Sequence, residues 1–205
     1  MTLGQRFARL VTEAVVRRPG LWRLFRGPLR LQFEHLASGW DARRGPAHAA
    51  PLEAALERVP VARKALDLGT GTGIGALTIA RRFPEAEVVG VDFSPAMVAE
   101  ARRKLTADVE RRVRFETADA ERLPYPDRDF DLVALVNMIP FFDELVRVTA
   151  PGGHVVFSFT WGAETPIYVP PERLRRELGA RGFADFAEIA AGDGTALVAR
   201  RRTDE

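Results

Sequence analysis

No cysteine occurs among the 205 residues. That absence excludes disulfides, thiolate nucleophiles and cysteine-held metals together, and it suits a reducing compartment. Histidine is scarce as well: His35, His48 and His154 are too scattered to suggest a metal site. No apolar run approaches the ~20 residues that span a bilayer. Nor does Met1 to Leu10 hold the unbroken apolar stretch of a signal peptide. The expectation is a cytoplasmic protein. Internal repeats and low-complexity tracts are missing too.

What is present suits a single globular domain, with 46% hydrophobic and 28% charged residues. The net charge of +2 hides an asymmetry. Residues 1–50 carry nine arginines against Glu13, Glu34 and Asp41, an excess of six, which leaves the remaining 155 residues at minus four. Basic charge confined to one segment is not the basic face with interleaved aromatics that nucleic acid requires. Nucleic acid is not an expected partner.

Leu3, Phe7, Leu10, Val11, Ala14 and Val15 recur at helical spacing, which predicts an amphipathic helix ended by Pro19-Gly20. An apolar-basic stretch follows over 21–26, is expected to break at Gly27-Pro28, and resumes to Leu36. Residues 44–51 read as a linker holding His48, and 51–59 as a short helix. From Lys64 onward strands alternate with helices. Strands are expected over 65–68, 87–91, 112–117, 131–136 and 154–159, the last entered through a Pro151-Gly152-Gly153 turn. Helices are expected over 74–82, 95–105, 141–148 and 171–180, and Gly192-Asp193-Gly194 reads as the turn of a closing hairpin. The implied fold class is α/β: a doubly wound, Rossmann-like sheet of seven strands, mostly parallel with the final strand antiparallel, following an N-terminal helical segment. Ligands of such sheets sit beyond the carboxyl ends of the strands, where the winding reverses.

The strongest local signal is Asp67-Leu68-Gly69-Thr70-Gly71-Thr72-Gly73-Ile74-Gly75, between a buried strand and a helix. Glycines let a ligand approach bare main chain, and the helix start offers free N–H groups. Two ligands suit that geometry, a dinucleotide through its pyrophosphate and S-adenosylmethionine through its carboxylate. Gly71-x-Gly73-x-x-Ala76, with Asp92 some twenty residues on, also satisfies the dinucleotide pattern. A tight strand-to-helix turn with no ligand is the plain third reading.

Further segments bear on the choice. They are Val88-Val89-Gly90-Val91-Asp92-Phe93-Ser94-Pro95 with Met97, Phe115-Glu116-Thr117-Ala118-Asp119-Ala120 through Tyr125, Phe130-Asp131-Leu132-Val133, and Glu144 through Gly153. Taken in order with the glycine loop, they resemble the class I S-adenosylmethionine-dependent methyltransferases. The likeness is strongest to the branch of quinone, sterol and other small-molecule enzymes, and it covers roughly residues 61–201. Residues 1–50, whose first part lies outside the likeness, read from their own charge and spacing as a basic amphipathic helical segment or lid, and the likeness implies 51–205 as a core binding S-adenosylmethionine and releasing S-adenosylhomocysteine.

Site roles follow from that resemblance. Asp67 would meet the ammonium, or chiefly brace the loop, with Gly69 and Thr70 offering backbone groups and Gly71 and Gly73 keeping the loop low. Asp92 would accept from the ribose hydroxyls, Phe93 and Met97 would cover the adenine (Met97 equally reads as plain core), and Asp119 and the Ala120 N–H would meet its edge. Asn137 would place a carbonyl near the methionyl part. Trp40, in the pre-core segment Phe33 to Asp41, would face the sulfonium by a cation–π contact or else simply pack.

Methyl transfer is an in-line displacement that needs positioning above all, so no catalytic dyad is required. Candidate bases are His35, Asp143, Glu144 and Tyr168; His154 starts a strand at the opposite edge and reads as structural. Phe25, Phe33, Trp40, Met138, Phe141, Phe142, Trp161 and Tyr168 are expected to line an apolar pocket for a small apolar or aromatic acceptor. The arginine-rich stretch over 17–30 allows weak contact with an anionic membrane surface, or a lid with its arginines in water. Rival functions are a non-catalytic cofactor-binding homologue and an NAD-dependent oxidoreductase. An RNA or protein methyltransferase is disfavoured, because Asn137-Met138-Ile139-Pro140 stands where Asn/Asp-Pro-Pro-Tyr/Phe would be expected. The acceptor atom, any catalytic base and the oligomeric state stay open.

Overall fold

In a computed structural model, residues 3–41 and 46–203 are described. Seven strands make one sheet: β1 (Lys64–Leu68), β2 (Glu87–Asp92), β3 (Val113–Thr117), β4 (Phe130–Val136), β5 (Thr149–Phe159), β6 (Phe183–Ala191) and β7 (Gly194–Arg201). Their order is β3-β2-β1-β4-β5-β7-β6. The first five run parallel, and β7 inserts antiparallel between β5 and β6. This is the expected fold class.

Strand alternation divides the core in two. Leu66, Leu68, Val89, Val91, Val133, Leu135, Val155 and Phe157 face one cluster, while Ala65, Val88, Leu132, Ala134 and Val156 face the other. Helices α3 (Ala50–Leu56), α4 (Ile74–Arg82) and α5 (Pro95–Arg102) cover the second face through Leu52, Leu56, Ile79 and Val98. Helices α6 (Phe142–Val148) and α7 (Pro171–Gly179) cover the first through Leu145, Val148, Leu174 and Leu178. The N-terminal helices α1 (Leu3–Arg17) and α2 (Trp22–Leu36) join α6 and α7 on that first face, burying Val11, Val15, Val16, Trp22 and Leu29.

Local rules explain most boundaries. Ser94 caps α5, accepting from the Met97 N–H at 3.4 Å, with Pro95 at the first helical position. Helix α4 begins after Gly73 at φ +89° and stops at Phe83 ahead of Pro84.

Three local expectations are corrected. Helix α2 runs through Gly27-Pro28 without a break. Pro28 removes one helical N–H, but the carbonyl it would have met belongs to the exposed Leu24, where water can replace the bond. The linker expected over 44–51 begins outside the described residues; its later part is a tight helical turn, Pro46–Ala49, leading directly into α3. Pro151-Gly152-Gly153 lies inside β5 rather than before it. There the register shifts between Phe130↔Thr149 and Leu132↔His154, a bulge that Gly152 makes possible at φ +76°. A second irregularity interrupts β6 between Ala184 and Ala187, with Asp185 at φ +52°. No helix among the described residues is long and apolar enough to cross a membrane.

Candidate functional site

The winding reverses between β1 and β4, and the glycine loop leaves β1 at that point. Positive φ values of +74°, +53° and +89° at Gly69, Gly71 and Gly73 fold the loop back on β2. The N–H groups of Gly69 and Thr70 both donate to the Val91 carbonyl, at 2.9 and 2.8 Å. Gly71 N–H donates to Asp92 Oδ2 at 2.9 Å. These amides are therefore engaged with β2 and are not the backbone groups that Gly69 and Thr70 could offer a ligand. Gly73 is bare for packing, since a Cβ there would lie 2.8 Å from Phe115 Cζ. At Gly71 the nearest neighbour would be Trp40 Nε1, at 3.7 Å.

Asp67 is 0% exposed. Its neighbours Leu66 and Leu68 face the first cluster, so the pleat turns its carboxylate to the α4 side. There Oδ2 accepts from Thr70 Oγ1 at 2.5 Å and from the Ala76 N–H at 2.7 Å. This is the bracing arrangement; the structure offers no exposed oxygen for an ammonium. Burial pushes the carboxyl up from 3.8 to about 6, against the lowering effect of its two hydrogen bonds. Asp92, 8% exposed at the end of β2, accepts from the Ser94 and Gly71 N–H groups, each at 2.9 Å. Burial again dominates and places it at about 6. For both acids the protonated form favours folding. That contribution is full below 3.8 and is lost as pH rises through about 6.

On the first face Leu68, Gly69, Val91, Asp92, Phe93, Ala118, Ala120 and Met138 form a slot, closed by Trp22 of α2. The remaining cavity is about 10 Å³, room for roughly one water. Trp22 is 3% exposed and donates its indole N–H to Asp119 Oδ1 at 2.8 Å. Edge-on rings flank it, Phe93 at 5.4 Å and Phe141 at 5.6 Å. Asp119 also accepts from the Glu121 N–H at 3.0 Å and faces Arg26 at 3.4 Å. Met138 lies on Gly69, where a Cβ would come 2.6 Å from its sulfur. Trp22 is the residue that sequence reasoning missed. Its signal was an aromatic and an arginine at i and i+4, one helix face presenting two donors.

The remaining candidates separate. Met97 is 1% exposed within α5 and does not line the slot, so it is core rather than an adenine cover. Trp40 packs edge-on against Phe33 at 5.4 Å. Its neighbour Asp41 accepts from Thr72 Oγ1 at 2.6 Å and pairs with Lys104, latching this segment across the glycine loop. Asn137 takes φ +50° at the end of β4, held by Thr160 at 2.8 and 3.0 Å through its side-chain amide. His48 is buried, with Nε2 3.4 Å from both Asn137 Nδ2 and Thr160 Oγ1. It belongs to this strand-end cluster and not to a free linker.

Among the candidate bases, Asp143 pairs with Arg181 at 2.8 Å, and Glu144 accepts from the Leu123 N–H and Arg147. Both hold secondary elements together. His35 meets the Leu31 carbonyl of its own helix at 2.7 Å. Tyr168 packs against Phe159 at 5.0 Å and borders a cavity of about 240 Å³ with Arg9, Glu13, Arg17 and Arg173. The expected apolar pocket is not assembled as one unit: Phe142 packs into the core on Phe157, and Trp161 is 40% exposed beside His48. Arg23 and Arg26 of α2 face Glu121 and Asp119 at 3.7 and 3.4 Å, turned toward the core's own acids.

Residues 65–153 match the family model described as a methyltransferase domain. A demethylmenaquinone methyltransferase of Thermus thermophilus is 47% identical over 112 residues, 51% of this chain and 50% of that protein. A trans-aconitate 2-methyltransferase of Methylobacterium nodulans is 35% identical over 150 residues, covering 69% of this chain and 55% of its own length. The chain thus spans about half the length of these curated relatives. Among solved structures, a putative methyltransferase of Haloferax volcanii, in complex with its Trm112 activator, superposes with a TM-score of 0.68 at 20% identity, covering 83% of this chain and 97% of its own. A putative S-adenosyl-L-methionine-dependent methyltransferase from Methanococcus maripaludis gives 0.64 at 18%, covering 86% and 93%.

Proposed function

Because residues 65–153 of this chain form a methyltransferase domain of the class I, S-adenosylmethionine-dependent superfamily, we propose that the protein transfers a methyl group to a small molecule. The observation that carries this reading is that Gly69 and Asp92 line one slot, with Asp119 bonded to the Trp22 indole that closes it and Gly71 bonded to Asp92. When bound, S-adenosylmethionine supplies a methyl on a positively charged sulfur whose departure with the S–CH3 bonding pair is easy. The chain's residues position it. Asp92 retains acceptor capacity beyond its two N–H partners and suits a ribose diol. Asp119 and Ala120 suit the edge of a base and Phe93 its face. Asp67, through Thr70 and Ala76, fixes the loop on which the amino-acid end would rest. Residues 1–50, as a lid over a core of 51–205, supply the cover that the short segments after β4 and β5 lack.

The cavity beside Tyr168 is our choice for the acceptor. Its three arginines and one glutamate suit an acceptor carrying an anionic group along with apolar surface, rather than a purely apolar one. Incubation with methyl-labelled S-adenosylmethionine and a panel of small carboxylates and quinols is expected to label at least one acceptor. No turnover with any, alongside normal S-adenosylhomocysteine binding, would mark the chain as a non-catalytic binder.

A pH dependence follows from Asp92. Only its ionised form accepts from both hydroxyls, and it titrates at about 6. Affinity for S-adenosylhomocysteine is therefore expected to fall about tenfold between pH 7 and pH 5. Calorimetry at the two values checks this. A flat profile, or one that persists in Asp92→Asn, would remove Asp92 from the ligand's contacts.

A further inference from the structure

The slot between Phe93 and Met138 is filled by the protein itself. A flat bicyclic ring, the Trp22 indole, is buried there and donates an N–H to a carboxylate, Asp119 Oδ1, at 2.8 Å. At the other end a thioether, Met138, rests on Gly69, with its sulfur 2.6 Å from where a Cβ would stand. A flat nitrogen heterocycle at one end and a thioether on the glycine loop at the other are the two ends of a thioether nucleoside. The chain's own side chains thus satisfy the groups that such a ligand would use, and only about 10 Å³ of cavity remains beside them.

The turn carrying Trp22 is anchored by that one buried ring and is loosely packed at both ends. It lies between Pro19-Gly20 and Gly27-Pro28, and a Cβ at either glycine would meet nothing within 4 Å. Pro28 also interrupts the helical ladder just beyond it. Among the described residues, its side-chain polar ties to the core are the indole bond and two ion pairs, Arg23–Glu121 at 3.7 Å and Arg26–Asp119 at 3.4 Å, each with an exposed arginine. Ion pairs of this kind are weak and screened by salt.

We propose that Trp22 is a self-inhibitory plug: the first turns of α2 swing away before a thioether nucleoside binds, and the indole and the ligand compete for Asp119. This rests on the adenosyl-site reading above. Competition of this sort divides the open site's affinity by the fraction of chains that are open, so removing the plug tightens binding.

The test uses the full chain with S-adenosylhomocysteine as probe. Trp22→Ala is expected to bind at least fivefold more tightly than wild type. Trp22→Phe, which keeps a ring but loses the N–H, is expected to fall between them. In a Trp40→Phe, Trp161→Phe background, Trp22 is the sole tryptophan, and the ligand is expected to shift its emission to the red and expose it to acrylamide. Equal or weaker binding by both Trp22 variants, or an indole that stays shielded while wild type binds, overturns the plug and leaves the cofactor reading standing. Should neither wild type nor variants bind, the cofactor reading fails and the plug fails with it.

Discussion

Asp92→Ala is expected to weaken S-adenosylhomocysteine binding at least tenfold, and up to about a hundredfold. The carboxylate stands at the last position of β2, fixed from both sides by the Gly71 and Ser94 N–H groups at 2.9 Å. It needs no reorganisation to receive two more donors. Loss of a hydrogen bond to a charged group costs about 1.5–3 kcal/mol, which sets the tenfold floor. Calorimetric titration of both proteins measures it, with circular dichroism showing that the variant stays folded. A change of less than threefold would mean that the diol of the ligand lies elsewhere. The variant also frees the Gly71 amide, so part of the loss comes from a looser loop. Asp92→Asn, which keeps an acceptor for that amide, is expected to recover some of the affinity.

The second large effect concerns stability. Gly73→Ala is expected to lower the unfolding free energy by about 2–5 kcal/mol. At φ +89° an alanine costs about 1–2 kcal/mol. Its Cβ would also lie 2.8 Å from Phe115 Cζ and 3.1 Å from Ala101 Cβ, and overpacking of that kind costs about 1–3 kcal/mol. Gly71→Ala is the internal control. It shares the positive φ, at +53°, but its nearest neighbour would stand at 3.7 Å, so only the backbone cost of about 1–2 kcal/mol applies. Urea denaturation of the pair is expected to rank Gly73→Ala as clearly the worse. Equal midpoints would show that Phe115 yields freely and that the loop does not depend on its packing.

Much of this architecture was legible in residue order, because local rules decide it. The helix over 74–82 begins after a glycine that must adopt a left-handed turn and ends before a proline. The strand at 87–92 and its Ser94 cap follow from equally short-range chemistry. Where reading failed, a distant partner or solvent had altered the local balance. Gly27-Pro28 reads as a break, yet Trp22 and Leu29 anchor α2 on either side of it and water can serve the orphaned carbonyl. Pro151-Gly152-Gly153 reads as a turn, yet β4 on one side absorbs the extra residues as a bulge. Asp67 stands out in the sequence as the acid that opens the glycine loop, but which face its carboxylate takes depends on the pleat and only emerges with the sheet. The bond between Trp22 and Asp119 joins residues 97 apart, and no spacing rule reaches that far. Met97, open in the sequence between core and an adenine contact, is buried in the core, because a helix residue need not face the same way as the end of the strand before it.

The interruption in β6 has a consequence of another kind. β6 is the outermost strand at its end of the sheet, and a long flat rim invites other chains to add to it. Asp185, turned to φ +52° at the break between Ala184 and Ala187, puts a left-handed step and a charge near the start of that rim. A newcomer would find only the short regular row from Ala187 to Ala191 to copy, so this end of the molecule resists edge-to-edge aggregation.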